Sequence, residues 1–112
     1  MPELVISLNK QIIKRLQLAE AKYLFGRSEH CDVVLNERMV SAEHAQLVRI
    51  GDECFLEDLH STNGVYVNQV RTHKHLLLNK DLIQIGKYEL LFHAITKLDQ
   101  TVDNLCLETE SI

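Results

Sequence analysis

Apolar residues in this chain recur at every second position in short runs, and each run is soon broken by turn-formers or charges. Leu4, Ile6 and Leu8 alternate, and Ala45, Leu47 and Arg49 alternate against Gln46, Val48 and Ile50. Val65-Tyr66-Val67, Leu82-Ile83-Gln84-Ile85 and Tyr88-Glu89-Leu90-Leu91-Phe92 continue the pattern. The breaks fall at Arg49-Ile50-Gly51-Asp52, Thr62-Asn63-Gly64 and Gly86. A period of two sends successive side chains to opposite faces of a strand, so the pattern predicts half-buried β-structure rather than helices. Many short strands of this kind predict two antiparallel sheets packed face to face, or a barrel. The single proline is Pro2, which leaves the turns to Gly, Asn, Asp and Ser.

The length of 112 residues fits one domain. Hydrophobic residues at 46% and charged residues at 25% supply a core and exclude a mainly disordered chain. Charge is unevenly placed. All twelve Lys and Arg precede position 98 and are matched there by twelve acids, while Asp99, Asp103, Glu108 and Glu110 make the tail acidic and set the net charge of −4. A neutral body without a basic run lacks the footprint that nucleic-acid backbones require, so any anion must be bound locally.

Cys31, Cys54 and Cys106 are odd in number and form no C-x-x-C pair, which implies free thiols in a reducing compartment rather than disulfides or zinc. Cys31 and Cys54 sit in or beside apolar strands and are expected to be buried. No apolar run approaches the roughly 18 residues of a membrane-spanning helix, and no basic leader opens the chain, so a cytoplasmic location is expected. Near the end, Ile95, Leu98, Val102 and Leu105 follow a 3-4-3 spacing that would align them on one helical face. This predicts a short amphipathic helix or a fraying acidic tail over residues 94–112, following a domain at 1–93.

Three polar clusters interrupt the strands where loops are expected: Gly26-Arg27-Ser28, Ser41-Ala42-Glu43-His44 and Ser61-Thr62-Asn63-Gly64, the last followed by Asn68. Together with Asp81-Leu82-Ile83-Gln84-Ile85-Gly86 they resemble the forkhead-associated (FHA) domain, over about residues 4–93. That family places Gly-Arg after an early strand, Ser-x-x-His before a later one, and Ser-x-Asn-Gly before a strand ending in Asn. The resemblance implies an all-β, eleven-stranded antiparallel β-sandwich whose loops at one end bind phosphothreonine. It implies a non-enzymatic recruitment adaptor in signalling, with no cofactor and no metal. Its partner would be a threonine-phosphorylated protein or peptide, or its own phosphorylated tail or a second copy, with no nucleic acid and no membrane.

The residue types suit that task. Phosphothreonine carries about −1.5 to −2 charges and three acceptor oxygens. Arg27 offers a planar cationic fork, Ser41 and Thr62 offer hydroxyl donors, and Asn63 offers an amide for the phosphate or the peptide main chain. The family motif makes His44 a buttress for the loop holding Ser41, and gives Ser61 and Asn68 supporting loop or peptide roles. Gly26 and Gly64 permit close approach or backbone geometry that a Cβ hinders. Ala42 stands where many members place a polar or basic residue, and Glu43 adds a carboxylate nearby. Val65 replaces a frequent threonine, and Lys80 a frequent glycine. The alternative expectation is a phosphate-independent interaction or self-association module on the same fold.

Other constellations are weaker. Ser41, His44 and Asp58 contain the elements of a hydrolase, but they lie at a loop-to-strand junction without a strand-turn-helix elbow. His73 and His75 would share one strand face, yet two imidazoles do not complete a zinc site, and an exposed pair is expected. His60 stands beside the proposed pocket. Thr101 and Thr109 lie in acidic surroundings that some kinases favour.

Overall fold

A computed structural model describes residues 1–94; the tail stripe, Thr101, Cys106 and Thr109 lie outside the described residues. Eleven strands follow one another: β1 (Glu3–Leu8), β2 (Gln11–Gln17), β3 (Lys22–Gly26), β4 (Val33–Val34), β5 (Ala45–Ile50), β6 (Glu53–Asp58), β7 (Val65–Val67), β8 (Val70–Thr72), β9 (Lys74–Leu76), β10 (Leu82–Ile85) and β11 (Tyr88–His93). They form two sheets, in the orders β2-β1-β11-β10-β7-β8 and β4-β3-β5-β6-β9. The architecture is the sandwich, not the barrel. All pairings are antiparallel except β3–β4, which is parallel because the chain loops back through residues 27–32 and re-enters in the direction of β3.

The period of two is realised directly. Leu4, Ile6, Ile83, Ile85, Leu90 and Phe92 face inward from one sheet. Tyr23, Phe25, Ala45, Leu47, Cys54 and Leu56 meet them from the other. Cys31 and Cys54 are both buried, and burial raises both thiol pKa values, with the nearby Glu43 carboxylate adding to the effect at Cys31. β2 escapes the pattern: a bulge opposite Ile6 and Ser7 leaves Ile12 and Ile13 both exposed.

Turns use the residues that tolerate left-handed backbone. Asn9 and Lys10 (φ 54° and 64°) join β1 to β2, and Asn68 and Gln69 (φ 50° and 70°) join β7 to β8. Positive φ at both central positions gives the turn whose twist matches that of the strands. Lys80, at the frequent glycine position, adopts φ 74°.

The register fixes which loops meet. Phe25 pairs with Ala45, Ala45 with Asp58, and Val65 with Ile85. The β3–β4, β4–β5 and β6–β7 connections and the β10–β11 turn therefore gather at one end. The β5–β6 turn and Ala94 share a depression at the other.

Asp81, almost fully buried, ties the β7–β8 turn to the start of β10. It accepts hydrogen bonds from Leu78 N–H (2.8 Å), His75 Nε2 (2.9 Å) and Asn68 Nδ2 (2.9 Å), while Asn68 Oδ1 accepts Leu82 N–H (3.0 Å). Both ends of the Asn68 amide are thus spent on holding this loop. His75 is half-buried in the same network, so His73 and His75 are not the exposed pair that the sequence suggested. Burial opposes the Asp81 charge, but the three hydrogen bonds outweigh it and lower the pKa. A carboxylate lowered on folding contributes stability above its unfolded pKa of about 3.9, and the contribution is lost as pH falls through the lower folded value. Urea unfolding at pH 7 should find Asp81→Asn destabilised by about 1–3 kcal/mol, the cost of leaving a buried donor unmatched. The deficit should shrink as pH is lowered below about 4.

Candidate functional site

The loop end is assembled from main chain packed on main chain. At Gly26 an added Cβ would lie 2.2 Å from the Ala42 carbonyl oxygen and 2.9 Å from Cys31 Sγ, so β3 reaches residues 41–42 only because nothing projects there. Arg27 N–H then donates to the Ser41 carbonyl (3.0 Å) and Ser28 N–H to that of Ala42 (3.2 Å). Gly64, at φ 86°, closes the β6–β7 connection, with the Arg71 guanidinium against its open side.

His44 joins the loops. Its ring is fully buried. Nδ1 lies 3.0 Å from Ser41 N–H and Nε2 2.8 Å from the Gly64 carbonyl oxygen. An amide can only donate and a carbonyl can only accept, so Nδ1 is bare and Nε2 carries the proton. The neutral imidazole links the β4–β5 loop to the β6–β7 loop. Around it, Ser61 N–H donates to Asp58 Oδ1 (3.1 Å), and Gly64 N–H to the buried Ser61 Oγ (2.9 Å). Asp58 thus holds a turn instead of orienting His44, and neither ring nitrogen is free to take a proton from Ser41 Oγ. The hydrolase arrangement is not formed.

Four residues present unused capacity to solvent above this frame. Ser41 Oγ accepts Thr62 N–H (3.1 Å), which leaves its own proton to donate outward. The Thr62 hydroxyl has no hydrogen-bond partner among the described residues, and Thr62 is exposed. Asn63 spends one amide proton on the Met39 carbonyl (2.9 Å), keeping its oxygen and second proton. The exposed Arg27 makes one long contact, from Nη1 to the Arg38 carbonyl (3.4 Å). Asn68 lies elsewhere, in the β7–β8 turn, and exposed His60 precedes Ser61 at φ 57°.

Two acids near this end are restrained by contacts that their residue types do not announce. Glu43 Oε2 is held by His30 Nε2 (2.5 Å), whose Nδ1 meets Ser28 Oγ (2.6 Å). Glu37 accepts Met39 N–H (2.9 Å) and Lys87 N–H (3.2 Å), tying the β4–β5 loop to the β10–β11 turn. Those bonds, led by the one from Met39, lower its pKa. The His30–Glu43 and Lys87–Glu37 contacts pair residues from separate loops, which no local pattern encodes. Replacing His44 by Phe keeps the ring volume but strands Ser41 N–H and the Gly64 carbonyl. Denaturant unfolding should register a loss of about 2 kcal/mol or more.

The β-sandwich and its loop end match known proteins. The FHA domain family model matches residues 23–86. The oxoglutarate dehydrogenase inhibitor of Corynebacterium jeikeium is 36% identical over 88 residues, covering 72% of this chain and 61% of that protein. The chain therefore spans about three fifths of that relative's length. Among solved structures, the FhaA FHA domain complexed with the intracellular domain of Rv3910 is similar at a TM-score of 0.76 and 27% identity, over 83% of this chain and 100% of that one. Mycobacterium tuberculosis EmbR in complex with a low-affinity phosphopeptide is similar at a TM-score of 0.75 and 30% identity, over 83% of this chain and 24% of that one. With its Gly-Arg, Ser-x-x-His and Ser-x-Asn-Gly loops converging at one end of the sandwich, the chain belongs to the FHA domain family.

Proposed function

We propose that this chain is a phosphothreonine-peptide reader that recruits a threonine-phosphorylated protein and carries out no catalysis of its own. One observation carries the reading: Ser41 Oγ and Asn63 are fixed from behind and keep free donors on the solvent side, beside the exposed Arg27 guanidinium and the Thr62 hydroxyl. Three acceptor oxygens with up to two charges meet one guanidinium fork and two hydroxyls. Gly26, His44, Ser61 and Gly64 hold the loops, and Asn68 acts at a distance through Asp81.

Similarity to EmbR, solved with a phosphopeptide, and to an FhaA domain, solved with a partner's intracellular domain, supports this reading. A relative that is an oxoglutarate dehydrogenase inhibitor supports a regulatory outcome of docking. Residues 1–93 form the recognition domain and 94–112 an acidic extension. No helix among the described residues is long and apolar enough to cross a membrane. The free thiols of Cys31 and Cys54 support a reducing, cytoplasmic setting.

Fluorescence titration against a degenerate phosphothreonine peptide pool and its unphosphorylated twin tests the reading. Binding should require the phosphate. Arg27→Ala should weaken it by about tenfold to a hundredfold, because charge-assisted bonds contribute roughly 1.5–3 kcal/mol each. Equal binding of both pools, or an Arg27→Ala protein that binds as tightly as the parent, would refute it.

A further inference from the structure

Three side chains beside Ala42 form one continuous run of hydrogen bonds. Ser28 Oγ meets His30 Nδ1 at 2.6 Å, and His30 Nε2 meets Glu43 Oε2 at 2.5 Å. Ser28 and His30 belong to the β3–β4 loop and Glu43 to the β4–β5 loop, two loops already joined through main-chain bonds from Arg27 and Ser28 to Ser41 and Ala42. The side chains of His30 and Glu43 are 57% and 54% exposed, so a ligand can reach the pair. Ser28 stands among the residues of the proposed anion site. It follows Arg27 in the chain, and its N–H lies 3.2 Å from the carbonyl oxygen of Ala42, the residue next to Ser41. Ala42 is exposed and brings no side-chain donor of its own.

We propose, resting on the phosphothreonine reading, that Ser28 is a further phosphate-contacting residue and His30 its positioning residue, whose protonation turns the Ser28 hydroxyl from the ring to the phosphate. An ionised carboxylate only accepts, so His30 Nε2 carries a proton whether the ring is neutral or charged. In the neutral ring Nδ1 is bare, and the Ser28 hydroxyl donates to it. In the charged ring Nδ1–H donates, Ser28 Oγ accepts, and the serine proton is released to a ligand. The same event takes the His30–Glu43 pair from one negative charge to none, beside a ligand that carries up to two. Histidine is the side chain whose charge changes between pH 5 and 8. The other ionisable groups around the ring do not supply this change. Glu29 and Asp32, on the same loop, are acids, and Asp32 Oδ2 accepts Leu24 N–H (2.7 Å). Arg27 keeps its charge throughout. The Cys31 thiol, its pKa raised by burial, donates to the Ala42 carbonyl (3.2 Å). His44, across the β4–β5 loop, is buried and committed to Ser41 and Gly64. Proton and phosphate therefore strengthen one another's binding by the same factor.

Titration of the full chain with the degenerate phosphothreonine peptide pool at pH 6 and pH 8 compares the parent with His30→Gln and Ser28→Ala. Glutamine offers Glu43 a donor but cannot gain a charge. The affinity ratio of parent to His30→Gln should rise by about fivefold or more from pH 8 to pH 6. That ratio cancels the second proton of the phosphate, with its pKa of about 6, and any contribution of the exposed His60, because both are common to the two chains. Ser28→Ala should bind about tenfold more weakly than the parent at pH 6, as expected for one lost hydrogen bond to a charged group. A ratio that does not change with pH, or a Ser28→Ala chain that binds like the parent at pH 6, would overturn the role of the pair while leaving the phosphothreonine reading in place. Failure of all three chains to bind at either pH would remove that reading and this role with it.

Discussion

A buried neutral imidazole holds the loop end together. His44 accepts from Ser41 and donates to Gly64, spanning two loops that are twenty residues apart in sequence. Fixing a loop residue costs about 1–2 kcal/mol of backbone entropy, so donors that arrive already fixed spare a ligand that cost. The imidazole is useful here because it matches one donor with one acceptor at opposite sides of a rigid ring. A hydroxyl cannot span the gap, and a cationic side chain would offer no acceptor to Ser41.

The rest of the end follows from that link. With Ser41 and Gly64 in place, Thr62 N–H falls on Ser41 Oγ and turns the serine proton outward. Asn63 reaches the Met39 carbonyl and joins the same loops a second time. A neutral body is compatible with the proposed anion recognition, because three of the nearby acids are committed: Glu43 to His30, Glu37 to main-chain amides, and Asp58 to Ser61. The carboxylate that the sequence placed beside the site is restrained by a histidine thirteen residues away.

Much of this was legible in the chain itself. The sheets were readable because Leu4, Ile6, Leu47, Ile83 and Phe92 alternate with polar or outward residues, and the loops because Gly26 and Gly64 sit where no Cβ fits comfortably. β2 left no such trace, since it is an edge strand with a bulge and exposes nearly every side chain. The parallel β3–β4 pair was equally hidden, because two residues are too few to show a period. At the site, residue types announced the donors, but not their partners. Nothing in the spacing of His30, Glu37 or Arg71 indicates Glu43, Lys87 or Gly64, because those contacts arise only after the loops are brought together. Asn68 was recognised as part of the motif, yet its work lies with Asp81 and Leu82.

If the loop end framed by His44 is a preformed anion site, a bound phosphopeptide leaves its frame unchanged. Nitrogen-15 shift mapping of the full chain with a phosphothreonine peptide tests it most directly. Shifts should concentrate on residues 26–28, 38–43 and 60–64, while the side-chain nitrogens of His44 keep the bare Nδ1 and protonated Nε2 signature before and after binding. Shifts centred on the outer face of β5, β6 and β9, or a His44 ring that changes tautomer on binding, would contradict it.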